Sequence, residues 1–136
     1  MSFLFDSFDF NEGKVLEIGP LNEPLITKAN TGGSCEIFYL DHLSTKDLKI
    51  KYADTDSVSL DDIVPIDFVC PHGDIKEAVA GNSFDCVVAS HVIEHAPNFL
   101  GFLKHIHDIL RPGGTCILVV PDKRFTFDLL YSETEF

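Results

Sequence analysis

The stretch from Phe84 to Asp122, FDCVVASHVIEHAPNFLGFLKHIHDILRPGGTCILVVPD, permits few folds. An apolar run is followed by a polar loop, a segment with apolar residues at helical spacing, a Gly-Gly turn and a second apolar run. This is a strand–helix–strand crossover, and such a crossover joins parallel strands. Both runs are apolar throughout rather than alternating, as strands of a sheet covered on both faces are. The polar residues fall where the first strand ends, the edge at which open parallel sheets bind ligands.

The rest of the chain repeats this strand-helix alternation. Lys14–Gly19 is predicted as the first strand and Glu36–Asp41 as the second. Between them Asn22 can cap a short helix, Pro24 suits its first turn, and Asn30-Thr31-Gly32-Gly33 stops it. Ser44 and Asp47 are spaced like a capping box for a helix over Ser44–Tyr52. Ala53–Pro65 is a polar connection, Ile66–Cys70 a third strand and Asp74–Ala80 a short helix ending at Gly81. Phe84–Ser90 is the fourth strand. Asn98–Leu110 is a helix whose apolar stripe is Phe99, Phe102, Leu103, Ile106, Ile109 and Leu110, and Thr115–Val120 is the fifth strand. Right-handed crossovers and a reversal after the third strand give a Rossmann-like doubly wound α/β sheet in three α/β/α layers, strand order 3-2-1-4-5, truncated after the fifth strand. The expected organisation is a single domain over 1–136, with an N-terminal arm over 1–13, helical or ordered, and a C-terminal tail over 123–136.

A formal charge of −12 repels phosphate backbones, so nucleic acid is excluded as the expected partner and a small neutral or cationic ligand fits better. Cys35, Cys70, Cys86 and Cys116 form no C-x-x-C pair and read as reduced, mostly buried thiols of a cytoplasmic protein. Met1–Phe10 carries no basic flank or cleavage site of the signal-peptide type. No apolar run approaches the ~20 residues that a membrane span needs, so no membrane partner is expected.

Asp41 closes the second strand beside the switch point, where a carboxylate can accept both hydroxyls of a ribose. The first loop, Gly19-Pro20-Leu21-Asn22-Glu23-Pro24, keeps one glycine and adds an acid. Negative charge beside a pyrophosphate is unfavourable, which disfavours NAD, FAD and a nicotinamide-dependent oxidoreductase. A phosphate-free nucleoside remains, and S-adenosylmethionine is one, with a cationic sulfonium that carboxylates favour. Glu17, within the first strand, is placed to help orient its cationic tail.

The segments VLEIGP (Val15–Pro20), YLD (Tyr39–Asp41), FDCVVASHVIEH (Phe84–His95) and LRPGGTCILVVPD (Leu110–Asp122) resemble the class I S-adenosylmethionine-dependent methyltransferases, of the methyltransferase 11-like type. The resemblance covers Val15 to Asp122. It implies that Gly19, followed by Pro20, contacts the methionine moiety with support from Glu17. It further implies that Asp41 holds the ribose with His42 beside it, that Asp74 and Ile75 flank the adenine, and that Ser90 and His91 face the cofactor and the transfer site. The family shows E-x-G-x-G-x-G where this chain has Leu21 and Glu23 in place of the second and third glycines. Its sheet has seven strands where this one stops after five.

The function implied is methyl transfer to a small-molecule acceptor, with S-adenosylhomocysteine as product. The rival expectation is a non-catalytic or incomplete methyltransferase-like domain that serves as a cofactor-binding or interaction scaffold. Transfer from a sulfonium is an in-line displacement that mainly needs alignment, and a base only where the acceptor holds its proton tightly. His91 is the candidate base by position, and His95 the second. His91-Val92-Ile93-Glu94-His95 also matches the inverted zinc-protease pattern H-x-x-E-H, but Pro97 leaves room for one turn at most, so no metal is expected. His72, His105 and His107 are expected to face solvent, and Lys123-Arg124 to be an exposed basic pair. An apolar fifth strand at a sheet edge calls for a homodimer or a covering segment drawn from Phe125–Phe136.

Overall fold

The computed structural model describes residues 8–10 and 12–122. Most of the N-terminal arm expected over 1–13, the Lys123-Arg124 pair and the candidate covering segment Phe125–Phe136 lie outside the described residues. The strands are β1 (Lys14–Ile18), β2 (Glu36–Asp41), β3 (Phe68–Val69), β4 (Phe84–Ser90) and β5 (Leu110–Val119). The helices are α1 (Thr45–Lys51), α2 (Ile75–Ala78) and α3 (Phe99–Ile109). All strand pairs are parallel, in the order β3-β2-β1-β4-β5. The sheet therefore reverses between β1 and β4, and the cleft beyond their carboxyl ends is the expected ligand edge. No helix among the described residues is long and apolar enough to cross a membrane.

One face of the sheet packs Leu16, Ile18, Val87 and Ala89 against Ile75 and Val79 of the α2 segment and Ile106 and Ile109 of α3. Phe38, Phe68 and Phe84 interlock beside them, with ring centroids 5.8–6.3 Å apart. The opposite face packs Val15, Cys86 and Val88 against Phe10, Ile26 and Cys35, residues without regular structure.

The helix expected between β1 and β2 is absent, and that segment is a chain of turns. Asn30 explains why. Its side-chain amide donates to the Leu25 carbonyl at 2.7 Å, and its Oδ1 accepts from the Thr27 N–H at 2.8 Å. These bonds take backbone groups that a helix would use for its own ladder. α1 starts on the expected box, with the Asp47 N–H donating to Ser44 Oγ at 3.2 Å and the Ser44 hydroxyl donating to Asp47. β3 is shorter than Ile66–Cys70. β5 is longer than expected because Leu110 pairs with Phe84, while Thr115 pairs with Cys86, so Arg111–Gly114 bulges between the two pairings. Gly114 is required there, since a Cβ would stand 2.9 Å from the Arg111 carbonyl oxygen. Cys35, Cys70 and Cys86 are buried as expected; Cys116 on β5 is exposed, and all four are unpaired.

Asp85 ties three strands together at the opposite end of the sheet from the cleft. Its Oδ2 accepts from the Lys14 N–H at 2.8 Å and from the Arg111 guanidinium at 2.6 Å. The Arg111 hydrogen bond, and after it the Lys14 N–H, hold this carboxyl below its ordinary value of 3.8. A depressed acid pKa stabilises the fold fully above the unfolded value, and the contribution is lost as pH falls through the folded value. Asp85→Asn is therefore expected to lower Tm by a few degrees at pH 7. Thermal melts of the two proteins should converge as pH is taken below 3.8. A difference that persists undiminished at pH 2 would assign the effect to something other than the charge.

Candidate functional site

An open cleft of about 1090 Å³ lies beyond the carboxyl ends of β1, β2 and β4. β1 delivers Gly19 and Leu21 to it, β2 delivers Asp41 and His42, and α1 adds Leu48 and Lys51. The turn after β3 contributes His72 and Asp74 with Ile75, and the loop after β4 contributes His91, Val92 and His95. α3 presents Asn98, Gly101, Phe102 and His105, which at i, i+3, i+4 and i+7 form one helical face. Of the residues singled out in the sequence, Gly19, Asp41, His42, Asp74, Ile75, His91 and His95 thus share one cleft.

Glu17, Pro20 and Ser90 do not line it. Ser90 ends β4 in register with Val119, and Pro20 is buried. Glu17 is 2% exposed and its carboxylate grips the loop instead of facing a ligand. Oε1 accepts from the Leu25 N–H at 2.8 Å and Oε2 from the Ile26 N–H at 2.9 Å. Burial raises this carboxyl above its ordinary value, opposed by those two hydrogen bonds. Tyr39 adds a second clamp, its hydroxyl donating to the Ile26 carbonyl at 2.6 Å. Burial first, and then the charge of Glu17, push the Tyr39 phenol up to about 12, so it stays a donor.

The turns at the rim are tight. Gly19 has φ +68° and donates its N–H to the Leu40 carbonyl at 2.8 Å. A Cβ at this position would stand 2.8 Å from Val92 Cγ2, so glycine lets the loops after β1 and β4 touch. Leu21, where the resemblance implies a second glycine, keeps the left-handed conformation with φ +46°. The backbone path of a glycine survives there without the glycine. His91 also lies in the left-handed region, at φ +54°, and its N–H donates to the Val119 carbonyl at 2.9 Å. A non-glycine residue held at positive φ costs on the order of 1 kcal/mol, and such strain clusters at functional sites. The His91 ring is 62% exposed, with Nδ1 3.7 Å from Glu94 Oε1.

The H-x-x-E-H stretch is a 3₁₀ turn over Ile93–His95, as the proline predicts. Among the described residues no group of three His, Cys, Asp or Glu side chains is placed to hold a metal ion.

Asp41 is 6% exposed. Its Oδ1 accepts from the His42 N–H at 2.6 Å and meets His42 Nδ1 at 2.5 Å, while Oδ2 has no hydrogen bond among the described residues. Lys51 Nζ lies 3.0 Å from His42 Nε2. Asp74 caps α2, accepting from the Glu77 N–H at 3.0 Å, and its Oδ1 lies 3.4 Å from His105 Nδ1. Cys70 also lines the cleft, but burial pushes its thiol up, which leaves it protonated and a poor nucleophile. The wall thus carries two carboxylates, one lysine and five histidines, a lining rich in hydrogen-bonding groups for a polar ligand.

His105, expected in solvent, is half-buried and lines the cleft; His72 is exposed as expected and borders the same cleft, as does Lys51. The signal for His105 was present, since it stands seven residues after the capping Asn98 and three after Phe102 on one helical face. His72 and Lys51 carry no such signal; a turn residue and the last residue of a helix reach a cleft only through the fold.

A family profile describing a methyltransferase domain matches residues 2–135. Carnosine N-methyltransferase of Dictyostelium discoideum is 32% identical over 77 residues, which are 52% of this chain and 17% of that protein. A methyltransferase from Pyrococcus furiosus superposes with TM-score 0.59 at 18% identity, covering 90% of this chain and 62% of the other. The glycopeptide N-methyltransferase MtfA, in complex with sinefungin, superposes with TM-score 0.55 at 20% identity, covering 86% and 47%. The chain thus spans less than two thirds of each of these relatives, and only 17% of the carnosine N-methyltransferase.

Proposed function

Because the chain belongs to the methyltransferase-domain family, we propose that its cleft binds S-adenosylmethionine and that the protein transfers the methyl group to a small-molecule acceptor. The observation that carries this reading is Asp41. It is a nearly buried carboxylate at the end of β2, beside the reversal of strand order, with one oxygen left for ribose hydroxyls. Gly19 lines the cleft at the tip of β1, on the side proposed for the amino-acid end, and Asp74 with Ile75 lines the side proposed for the adenine. Sinefungin, an adenosyl amino acid, bound to a structural neighbour supports the same ligand class. The relative that acts on carnosine supports a nitrogen acceptor of metabolite size.

The sulfonium supplies an activated methyl group. The protein's task is to hold the acceptor in line with the breaking carbon–sulfur bond, whose electron pair stays on sulfur. His91 stands beyond the tip of β4, exposed at the cleft, and is placed to take the acceptor's proton as the new bond forms.

Calorimetric titration with S-adenosylhomocysteine is expected to give a measurable Kd and a ligand-dependent rise in Tm. No heat and no Tm shift at about 1 mM ligand would overturn the reading and leave a non-catalytic scaffold. His91→Gly separates binding from catalysis. Relief of strain at φ +54° should keep Tm at or slightly above that of the parent, and cofactor affinity should hold. Turnover of carnosine or a related imidazole acceptor, read by mass spectrometry, is expected to fall about 100-fold. Unchanged turnover would remove His91 from the chemistry.

A further inference from the structure

We propose that His42 and Lys51 are positioning residues that fix the Asp41 carboxylate, with Oδ1 held by the protein and Oδ2 turned to the cleft. The proposal rests on the ribose role given to Asp41 above. An ammonium group can only donate hydrogen bonds, so with Lys51 Nζ 3.0 Å away, His42 Nε2 must be the acceptor. The ring proton of a neutral imidazole then sits on Nδ1, where it donates to Asp41 Oδ1. The reverse tautomer would set two lone pairs against each other at 2.5 Å and two donors against each other at 3.0 Å.

The chain Lys51–His42–Asp41 is therefore directional. The ammonium polarises the imidazole, and the imidazole donates more strongly to the carboxylate. Together with its own backbone N–H, His42 occupies Oδ1 with two donors. The carboxylate cannot rotate without breaking both bonds. Lys51 is itself held, with Nζ 5.2 Å from the centre of the Tyr52 ring. A ligand hydroxyl arriving at Asp41 meets an acceptor already aimed, and the ordering cost of the carboxylate is not charged to binding.

Two measurements test this. The first is long-range proton–nitrogen correlation NMR on ligand-free protein at pH 7.5, with the His42 signals assigned by their loss in His42→Asn. The Nδ1–H tautomer is expected for His42 and should be lost or diluted in Lys51→Met. Finding the Nε2–H tautomer in the parent protein would overturn the proposal. The second is the Kd for S-adenosylhomocysteine. His42→Leu is expected to weaken binding about 10-fold and Lys51→Met about 3-fold. His42→Asn keeps an amide donor near Asp41 and should recover most of the affinity. A His42→Leu protein that binds as tightly as the parent would overturn the positioning role. Failure of the parent itself to bind would instead strike the methyltransferase reading, while the tautomer would still decide the relay.

Discussion

Replacing Asp41 with alanine is expected to weaken S-adenosylhomocysteine binding about 100-fold, the largest effect on affinity of any single change in the cleft. Two ribose hydroxyls donating to a carboxylate make charge-assisted hydrogen bonds, worth about 1.5–3 kcal/mol each. Part of that is offset because the free carboxylate oxygen gives up water. About 3 kcal/mol remains, which corresponds to the stated loss. The substitution also strands the His42 N–H and Nδ1–H, which now share Oδ1. Both sit at the rim, so water can replace the lost acceptor and Tm should move by only a few degrees. Titration calorimetry reads the affinity and a thermal melt reads the fold. A Kd within about 3-fold of the parent, at unchanged Tm, would show that the ribose does not meet this carboxylate.

Glu17→Ala is expected to act in the opposite manner, on the fold and only through it on binding. The side chain touches no part of the cleft. Its removal leaves the N–H groups of Leu25 and Ile26 without their partners in a buried setting, at about 1–3 kcal/mol each. The cavity left by the side chain adds to that cost. A loss of about 3 kcal/mol should lower Tm by about 10 °C in a domain of this size. Glu17→Gln keeps the volume and one acceptor but turns an NH₂ group toward one of the two donors, so it should recover about half. Hydrogen exchange gives the local signature: the amides of Leu25 and Ile26 should lose protection before those of β4. A Glu17→Ala protein that melts with the parent would mean that the loop is held by Tyr39 and Ile26 alone.

The contrast between these two acids shows what a sequence of this kind reveals. Both end or precede a strand end, and both look like ligand carboxylates from spacing alone. Asp41 is the last residue of β2 and reaches the cleft; Glu17 points to the face packed by Ile26 and Cys35, where loop amides claim it. The two acids share a face of the sheet, since Glu17 pairs with Tyr39, two residues before Asp41; what separates them is depth, with Asp41 ending its strand while Glu17 lies inside β1 under the folded loop, which no local pattern announces. The sheet itself was legible because continuous apolar runs such as Phe84–Ser90 have few other solutions. The cap Ser44 was legible from its spacing to Asp47, whose N–H it accepts from, and Asp74 and Asn98, the first residues of their predicted helices, turn out to cap them in the same way. The loop after β1 carries helix start signals at Asn22 and Pro24, but the local bonds of Asn30 and the grip of Glu17 from β1 compete with the helix and win. The histidines of the cleft were half legible, with His91 and His95 placed by the strand end and His72 placed only by the turn after β3.

The grip of Glu17 falls on peptide groups, not on side chains. Identity at positions 22, 23 and 28 is therefore nearly free, whereas position 17 is fixed. A library randomised over those three sites should yield many folded members, making this segment a place where the surface can be rewritten without disturbing the sheet beneath it.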